Sequence, residues 1–543
     1  MKFLTRSWIP HFSLAMALLL ASMSSFVRAA SVAVPNVVGL TEAAATTAID
    51  GAGLIVGTVS EDWSSTVPAG ILISQSPAAG TEVAPGSAVN LTESKSGLVT
   101  LTSLKAKNGE EPFMESLVQG EDGNLYGTTN IGGANGDGIV FKVTPSGTVT
   151  VLYSFAGTDG SSPYPGLLLG TDGNFYGTTY QAGTNGYGTV FQITPGGTLT
   201  TLHNFSNTDG AYPIGVLIQG TDGYFYGTTA YGGNTSCTYG CGTIFRFIPD
   251  GTLTTLNTLV FFDGTNGYGP EGGLVQGTDG NFYGTTGQGG SGVGTPLGTV
   301  FQLTSGGTLN SLHTFDSTDG REPVDQLVET PAGLFLGTTV LGGAHGAGEV
   351  FQINTAGKLT VVHSFDVTDG YEPETGLLLA TDGHYYGTAY AGGKAAAEAG
   401  TVFRMTAAGK LSTLHSFNGT TGSYPYGGLV QYTSGVFYGV TSAGGTSKAC
   451  LGGCGTIFGL NRGLAPFVKL LPAAGSVGTS ITILGNELSS ASAVSFNGKA
   501  AAFTPGSDFY LTAVVPSGAT TGSVEVTTSG GTLKSSTKFS VIP

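Results

Sequence analysis

Between residues 97 and 462 apolar and polar positions group into short runs that recur about every fifty residues. In the second such unit Gly166-Leu167-Leu168-Leu169 predicts one strand, 175–180 a second, Thr189-Val190-Phe191-Gln192-Ile193 a third and 199–205 a fourth. These runs are rich in β-branched and aromatic residues and bounded by Gly, Asn, Asp or Pro, as strands are. Asp172-Gly173 between the first two strands predicts a tight hairpin of the primed type. Apolar side chains occupy both parities of the third and fourth strands, which predicts a sheet covered on both faces.

The second strand carries the phrase Tyr126-Gly127-Thr128-Thr129, which returns at Tyr176, Tyr226, Tyr283, Leu336, Tyr386 and Tyr438. Seven four-stranded units stacked face to face predict a seven-bladed β-propeller. A strand of the fourth type, 98–104, precedes the first set, and the last set, 428–460, lacks one. The early strand is therefore expected to complete the final blade and leave no free edge. In residues 32–96, Thr41 can cap a short helix whose face carries Ala44, Ala45 and Ile49, beside a few strand-like runs. Residues 466–543 alternate in strand period around Ile481, Ile483, Val494, Phe496, Val524 and Val526. The predicted fold class is mainly β, a propeller at 97–462 flanked by a small α+β module at 32–96 and an immunoglobulin-like β-sandwich at 466–543.

Three resemblances follow from these motifs. Asp122-Gly123-Asn124-Leu125-Tyr126-Gly127-Thr128-Thr129 and the later Gly188-Thr189-Val190-Phe191 are similar to the GloVer tandem repeats of exported bacterial proteins, with departures at Leu336, Ala389 and Val440. That similarity implies a secreted propeller-like array and brings no activity. Residues 32–96, with Pro35-Asn36-Val37-Val38-Gly39-Leu40 and Ser76-Pro77-Ala78-Ala79-Gly80-Thr81, resemble a PASTA domain, which implies contact with peptidoglycan. Residues 466–543 resemble an IPT/TIG domain, which implies an adhesive or spacing role.

Composition narrows the setting. With 92 glycines in 543 residues and only 10% charged side chains, the chain suits many short strands and tight turns. Residues 1–30 have a basic start, an apolar run and small residues at Ala29 and Ala30, the layout of a signal peptide. Its removal takes Lys2, Arg6 and Arg28 from the 19 basic residues, against 35 acidic ones, and moves the formal charge from −16 to −19. Such a field repels phosphate backbones, so nucleic acid is not an expected partner. A secreted, periplasmic or cell-surface protein without a transmembrane segment after signal removal, and a monomer, is expected. Export makes local disulfides, Cys237–Cys241 and Cys450–Cys454, the first reading of the four cysteines, each contributing at most about 2 kcal/mol. Zinc is the alternative, although each pair offers only half a structural ligand set.

No catalytic constellation, cofactor motif or metal-ligand set stands out. His203, His313, His363 and His415 recur at one strand position, and Asp172, Asp222, Asp279 and Asp382 precede turn glycines. Both sets read as structural. The segment between each fourth strand and the next first strand is more informative. Just before a proline it places Glu111, Glu322 and Glu372, followed by Glu115, Asp325 and Glu374, while other repeats carry Tyr164, Tyr212, Tyr268, Tyr424 and Tyr426 there. Carboxylates and tyrosines at a propeller mouth suit a polyhydroxylated or cationic ligand. The expected function is that of an exported, non-catalytic binding or adhesion protein of the cell envelope with a glycan, peptidoglycan or surface-protein ligand. A glycan-active enzyme with carboxylates at the mouth and a structural spacer are the alternatives.

Overall fold

The computed structural model describes residues 31–64, 66–113, 116–249, 256–291, 297–395 and 397–542. The leader expected at 1–30 and the candidate Glu115 lie outside them. The chain divides into two compact units, with Trp63–Ala69 and everything from Lys95 onward belonging to the second.

In the first unit the helix Glu42–Gly51 is capped by Thr41, whose hydroxyl accepts the Ala44 N–H. Its buried face carries Ala45 and Ile49 over Leu54, Leu72, Val89 and Leu91. Ala44, expected on that face, is exposed. The stripe runs through Ala45, Ala48 and Ile49 at i, i+3 and i+4, and Ala44 sits one helical step, about 100°, off it. The strands Ile55–Asp62, Ala88–Ser94 and Leu72–Ser76 form the accompanying sheet, with Ala88–Ser94 in the middle.

In the second unit the repeats form seven four-stranded antiparallel sheets. The second sheet pairs Leu168–Leu169, Phe175–Thr179, Thr189–Ile193 and Leu199–Asn204 in chain order. Its first strand is two residues long, not four, because Gly166 lies against the Ser116 backbone of the preceding sheet, where a Cβ would come within 2.7 Å. The turn is not of the primed type either. Only Gly173 has positive φ, and the Gly173 N–H returns to the Gly170 carbonyl while the Asp172 carboxylate accepts the Asn174 N–H. One left-handed glycine after an ordinary turn is the three-residue hairpin with a bulge. Gly97–Ser103 pairs with Thr456–Asn461 as the fourth strand of the seventh sheet.

The repeated phrase supplies three different contacts. Tyr126, Tyr176, Tyr226, Tyr283 and Tyr386 each donate a hydroxyl, at 2.7–2.9 Å, to the turn aspartate four residues earlier. The first Thr reaches the next sheet in four repeats, as Thr128 does to the Pro163 carbonyl and Thr285 to the Asp325 carbonyl, whereas among the described residues the buried Thr178 and Thr338 hydroxyls have no partner. The second Thr closes on its own loop, as Thr229 does to the Tyr231 carbonyl.

Each pair of consecutive sheets shares an apolar core. Tyr176, Val190 and Phe205 of the second sheet, for example, pack with Leu217, Phe225 and Phe245 of the third. The same kind of core joins Tyr438, Val440 and Ile457 of the seventh sheet to Leu117, Leu125 and Phe141 of the first. A side-chain clamp spans five junctions: Gln219, Gln276, Glu329, Gln431 and Gln119 each accept the N–H of Thr171, Thr221, Thr278, Thr381 and Thr433 on the preceding sheet. The last of these again joins the seventh sheet to the first.

The C-terminal sandwich closes Ile481, Ile483, Leu511, Val494, Phe496, Val524 and Val526 between two four-stranded sheets. It rests on the hairpin-turn side of the repeats. Leu484 enters the core between the first and second sheets, the Phe509 ring covers Gly123, and Asn486 donates to Thr433 at 3.0 Å. Both cysteine pairs are disulfides as expected. Among the described residues no helix is long and apolar enough to cross a membrane.

Candidate functional site

The segment before each first strand is built around its proline. The residue preceding that proline, Glu111, Ser162, Tyr212, Gly269, Glu322, Glu372 or Tyr424, has φ between 52° and 65° in all seven repeats. Six of the seven are not glycine, so the backbone holds a conformation that L-residues rarely adopt. The cause is a double tether. Its N–H donates to the loop of the preceding sheet, as Glu322 does to Leu297 and Glu111 to Cys454, and its carbonyl accepts from its own second strand, as Glu322 does from Val340. The proline ring then packs on a glycine of the preceding sheet, such as Gly298 under Pro323, where a Cβ would come within 2.6 Å of the ring. Glu111, Tyr212, Glu322, Glu372 and Tyr424 thus serve the junctions with their backbones and present their side chains at the loop side.

In five of the seven repeats the residue after the proline lines a cavity of about 450 Å³, to which six sheets contribute first-strand residues and the third contributes the residues just before its first strand. Ile214, Glu271, Val324, Glu374 and Tyr426 occupy that position, and Asp325 and Thr375, next along the chain, line the cavity as well. Burial pushes Asp325 up to about 8, with the Glu374 charge adding to it against the opposing Gln326 N–H. Its Oδ1 accepts that N–H at 2.8 Å, and its buried Oδ2 has no hydrogen-bond partner among the described residues. Glu271 is raised to about 7 by burial and then by Glu322. Glu374 is raised to about 7 by burial and by Glu372, Glu271 and Glu322, while its hydrogen bond to Tyr426 opposes the shift. Glu372 is raised by burial and Glu322. Burial is the larger cause for Glu271, Asp325, Glu372 and Glu374, and the charges of neighbouring carboxyls on the fourth, fifth and sixth sheets add to it, so these four are raised together.

The remaining sector is aromatic. Tyr424, Tyr390, Tyr426, Phe113, Tyr164, Tyr180, Tyr212, Tyr231 and Tyr268 follow one another with ring centroids 4.0–5.9 Å apart. The arc begins where Tyr390 of the sixth sheet meets Tyr424 and Tyr426 of the seventh, passes through the first, second and third, and ends on the fourth. Burial, with neighbouring tyrosines and Glu271, raises Tyr180 to about 12. The structure thus brings Glu322, Asp325, Glu372 and Glu374 together and sets Tyr164, Tyr212 and Tyr424 in the arc. Glu111 stands apart on the first sheet beside Tyr164, whose pKa is raised by burial and by that charge.

Sequence reasoning missed Glu271, Phe113, Tyr180, Tyr231 and Tyr390. Glu271 and Phe113 follow a proline, and Tyr180 and Tyr390 follow the repeated phrase directly, so lining up the repeats by position carries that signal. The recurring histidines hold loops: His203, His313 and His363 bond Asp209, Asp319 and Asp369 at 2.7–3.0 Å, and His415 bonds Thr421. Among the described residues, the one metal-like grouping is Glu110 with Cys450 and Cys454, whose sulfurs are bonded to each other.

Seven like sheets joined by like cores, with variable side chains gathered at the loop side, define a tandem-repeat β protein. The chain belongs to the Gloeobacter/Verrucomicrobia repeat family, which it matches over residues 69–297 and 277–482. Residues 32–95 match the PASTA domain and 467–541 the IPT/TIG domain. No curated protein is significantly similar to it. Among solved structures it is similar to the extracellular domain of a hybrid two-component system from B. thetaiotaomicron, with 11% identity and a TM-score of 0.44. That match covers 87% of this chain and 62% of the other, so the chain spans less than two thirds of that structure's length. A fungal alcohol oxidase of the AA5 family in complex with copper matches with 12% identity and a TM-score of 0.45, covering 83% and 99% of the two chains. A gluconolactonase from Xanthomonas campestris matches with 13% identity and a TM-score of 0.34, covering 67% and 89%. At such values these likenesses assign neither a reaction nor a ligand.

Proposed function

We propose that residues 97–462 form a closed seven-bladed β-propeller between a PASTA module at 32–96 and an IPT/TIG sandwich at 466–543, and that the chain is an exported, non-catalytic saccharide-binding protein. The observation that carries the ligand class is the arc of nine aromatic rings, which reaches the cavity at Tyr426 beside Glu374 and comes near Glu271 at Tyr180, while Glu271, Asp325 and Glu374 line that cavity. Ring faces take the apolar faces of sugar rings, and protonated carboxyls and tyrosine hydroxyls pair with sugar hydroxyls in a site shielded from water. Ring closure draws support from the seventh-to-first junction, which repeats the core, the clamp and the backbone bond of the serial junctions. Two disulfides and the flanking domain types support export, and the PASTA module supports a place at the cell wall.

A glycan array probed with the purified chain tests the reading. Binding to at least one saccharide is expected, weakened about tenfold or more, roughly 1.4 kcal/mol, by Tyr164→Ala or Glu374→Gln. An array without binding, or full binding by both variants, defeats it. A glycan-active enzyme is the second reading. It rests on Glu271, Asp325 and Glu374, carboxyls held near neutrality in one cavity as a general acid must be. Release of new reducing ends from a bound saccharide, abolished in Glu374→Gln, would favour it.

A further inference from the structure

The cavity has an opposite end, and a different domain closes it. Along Lys469–Leu471 the side chains alternate: Leu470 is 5% exposed inside the sandwich core, and Leu471 packs on the core between the first and second sheets. Lys469 shares the Leu471 side and lines the cavity together with Val118, Val275 and Val328. The acids enter the same cavity at the loop side, and the sandwich rests on the turn side, so the lysine lies at the far end from them. Among the described residues Lys469 forms no ion pair, and burial shifts its pKa downward. Glu329 also lines the cavity, but its carboxylate is occupied by the Thr278 N–H at 3.0 Å and hydroxyl at 2.7 Å.

Lys469 is half-buried along the cavity, and an ammonium group partly shielded from water there gains from an anionic partner. Leu and Val are the commonest apolar residues of the lining, with Ser116, Gln326 and Thr375 among its polar ones, and the cavity volume of about 450 Å³ falls among small-molecule sites, roughly 300–1,000 Å³. From this placement we infer that Lys469 is the floor of the binding cavity and that the preferred ligand is an acidic saccharide whose carboxylate pairs with it. The inference rests on the saccharide reading of the mouth and adds the ligand's charge. The mouth does not oppose an anion as its count of acids suggests. Asp325, raised to about 8, is protonated at neutral pH, and Glu271 and Glu374, raised to about 7, are divided between hydroxyl donor and carboxylate there and shift to the donor form just below it. The sandwich then has a role in recognition, because without it the cavity has no cationic floor.

Calorimetric titration of the full chain at pH 6.5 with trigalacturonate and with its neutral methyl ester tests this. The wild type is expected to bind the free acid at least tenfold more tightly than the ester. Lys469→Met, which keeps most of the aliphatic stem, should bind both alike at the ester's affinity, and Lys469→Arg should keep the preference. Equal binding of acid and ester by the wild type overturns the inference and leaves the mouth reading standing. So does an undiminished preference in Lys469→Met. Binding of neither compound, together with a silent glycan array, removes the mouth reading and the floor with it. The wild-type comparison needs no variant, so a misfolded Lys469→Met does not shield the proposal.

Discussion

At the scale of single residues, one chain position does two jobs that the sequence shows as one. The residue before the proline fixes neighbouring sheets through its N–H and carbonyl in a left-handed conformation, whatever its side chain. The residue after it faces the cavity, which is why Glu271 and Tyr426 matter although the acids before the proline are more conspicuous. Asp325, one step further, gives the clearest test. Its carboxyl has a folded-state pKa of about 8 against 3.8 in the unfolded chain. Between those values the folded state binds more protons than the unfolded state, so stability falls as pH rises through this window. Urea midpoints of the wild type should therefore drop between pH 5 and pH 8. Asp325→Asn, which stays neutral, should flatten that slope and exceed the wild type by more than about 1 kcal/mol at pH 8. A variant with the same slope as the wild type would mean that Asp325 ionises freely in the fold.

At the scale of elements, the sequence was most legible where one side chain's role is local. The third strand, Thr189–Ile193, falls where its pattern puts it, because both faces of that strand are buried and its alternation is undisturbed. The first strand shrinks to Leu168–Leu169 because the preceding residues serve the neighbouring sheet, a demand that no local pattern records. The acidic cluster was half legible: Glu322, Asp325, Glu372 and Glu374 stand within two residues of prolines, whereas their approach to Glu271 arises only when three sheets converge. Lys469 was out of reach, since its surroundings belong to another domain. The fifth sheet shows that departures from the repeat come in pairs. Leu336 lacks the tyrosine hydroxyl, and Ala332 stands where the aspartate would accept it, with the Thr330 hydroxyl accepting the Ala332 and Leu334 N–H groups instead. Either Leu336→Tyr or Ala332→Asp alone should therefore leave a polar group without its usual partner. The double variant should recover a coupling of about 0.5–1.5 kcal/mol in a thermodynamic cycle. Simple additivity of the two changes would show that the hydroxyl and the carboxylate do not need each other.

At the scale of the whole molecule, an open stack of sheets and a closed ring differ in how strain spreads. In an open array each unit leans only on its neighbours, and terminal units unfold first. In a ring the seventh-to-first junction is one junction among seven, so its loss should be felt everywhere. Gln119 at that junction is buried and bonds Thr433 through both its oxygen and its nitrogen, at 3.1 and 2.9 Å. Gln276 makes the corresponding bond to Thr221 at 2.9 Å between the third and fourth sheets. Trp63 lies against Gly459 of the seventh sheet, so its fluorescence reports on the closing sheet while circular dichroism reports on all seven. Gln119→Ala and Gln276→Ala should each cost about 0.5–1.5 kcal/mol, the worth of such hydrogen bonds, and should shift both signals together. If Gln119→Ala instead moves the tryptophan signal ahead of the dichroism, the seventh sheet melts as an end and not as a member of a ring. That outcome would also leave the cavity without a continuous wall, and the ligand reading depends on that wall, since the aromatic arc crosses the same junction where Tyr426 meets Phe113 at 4.0 Å.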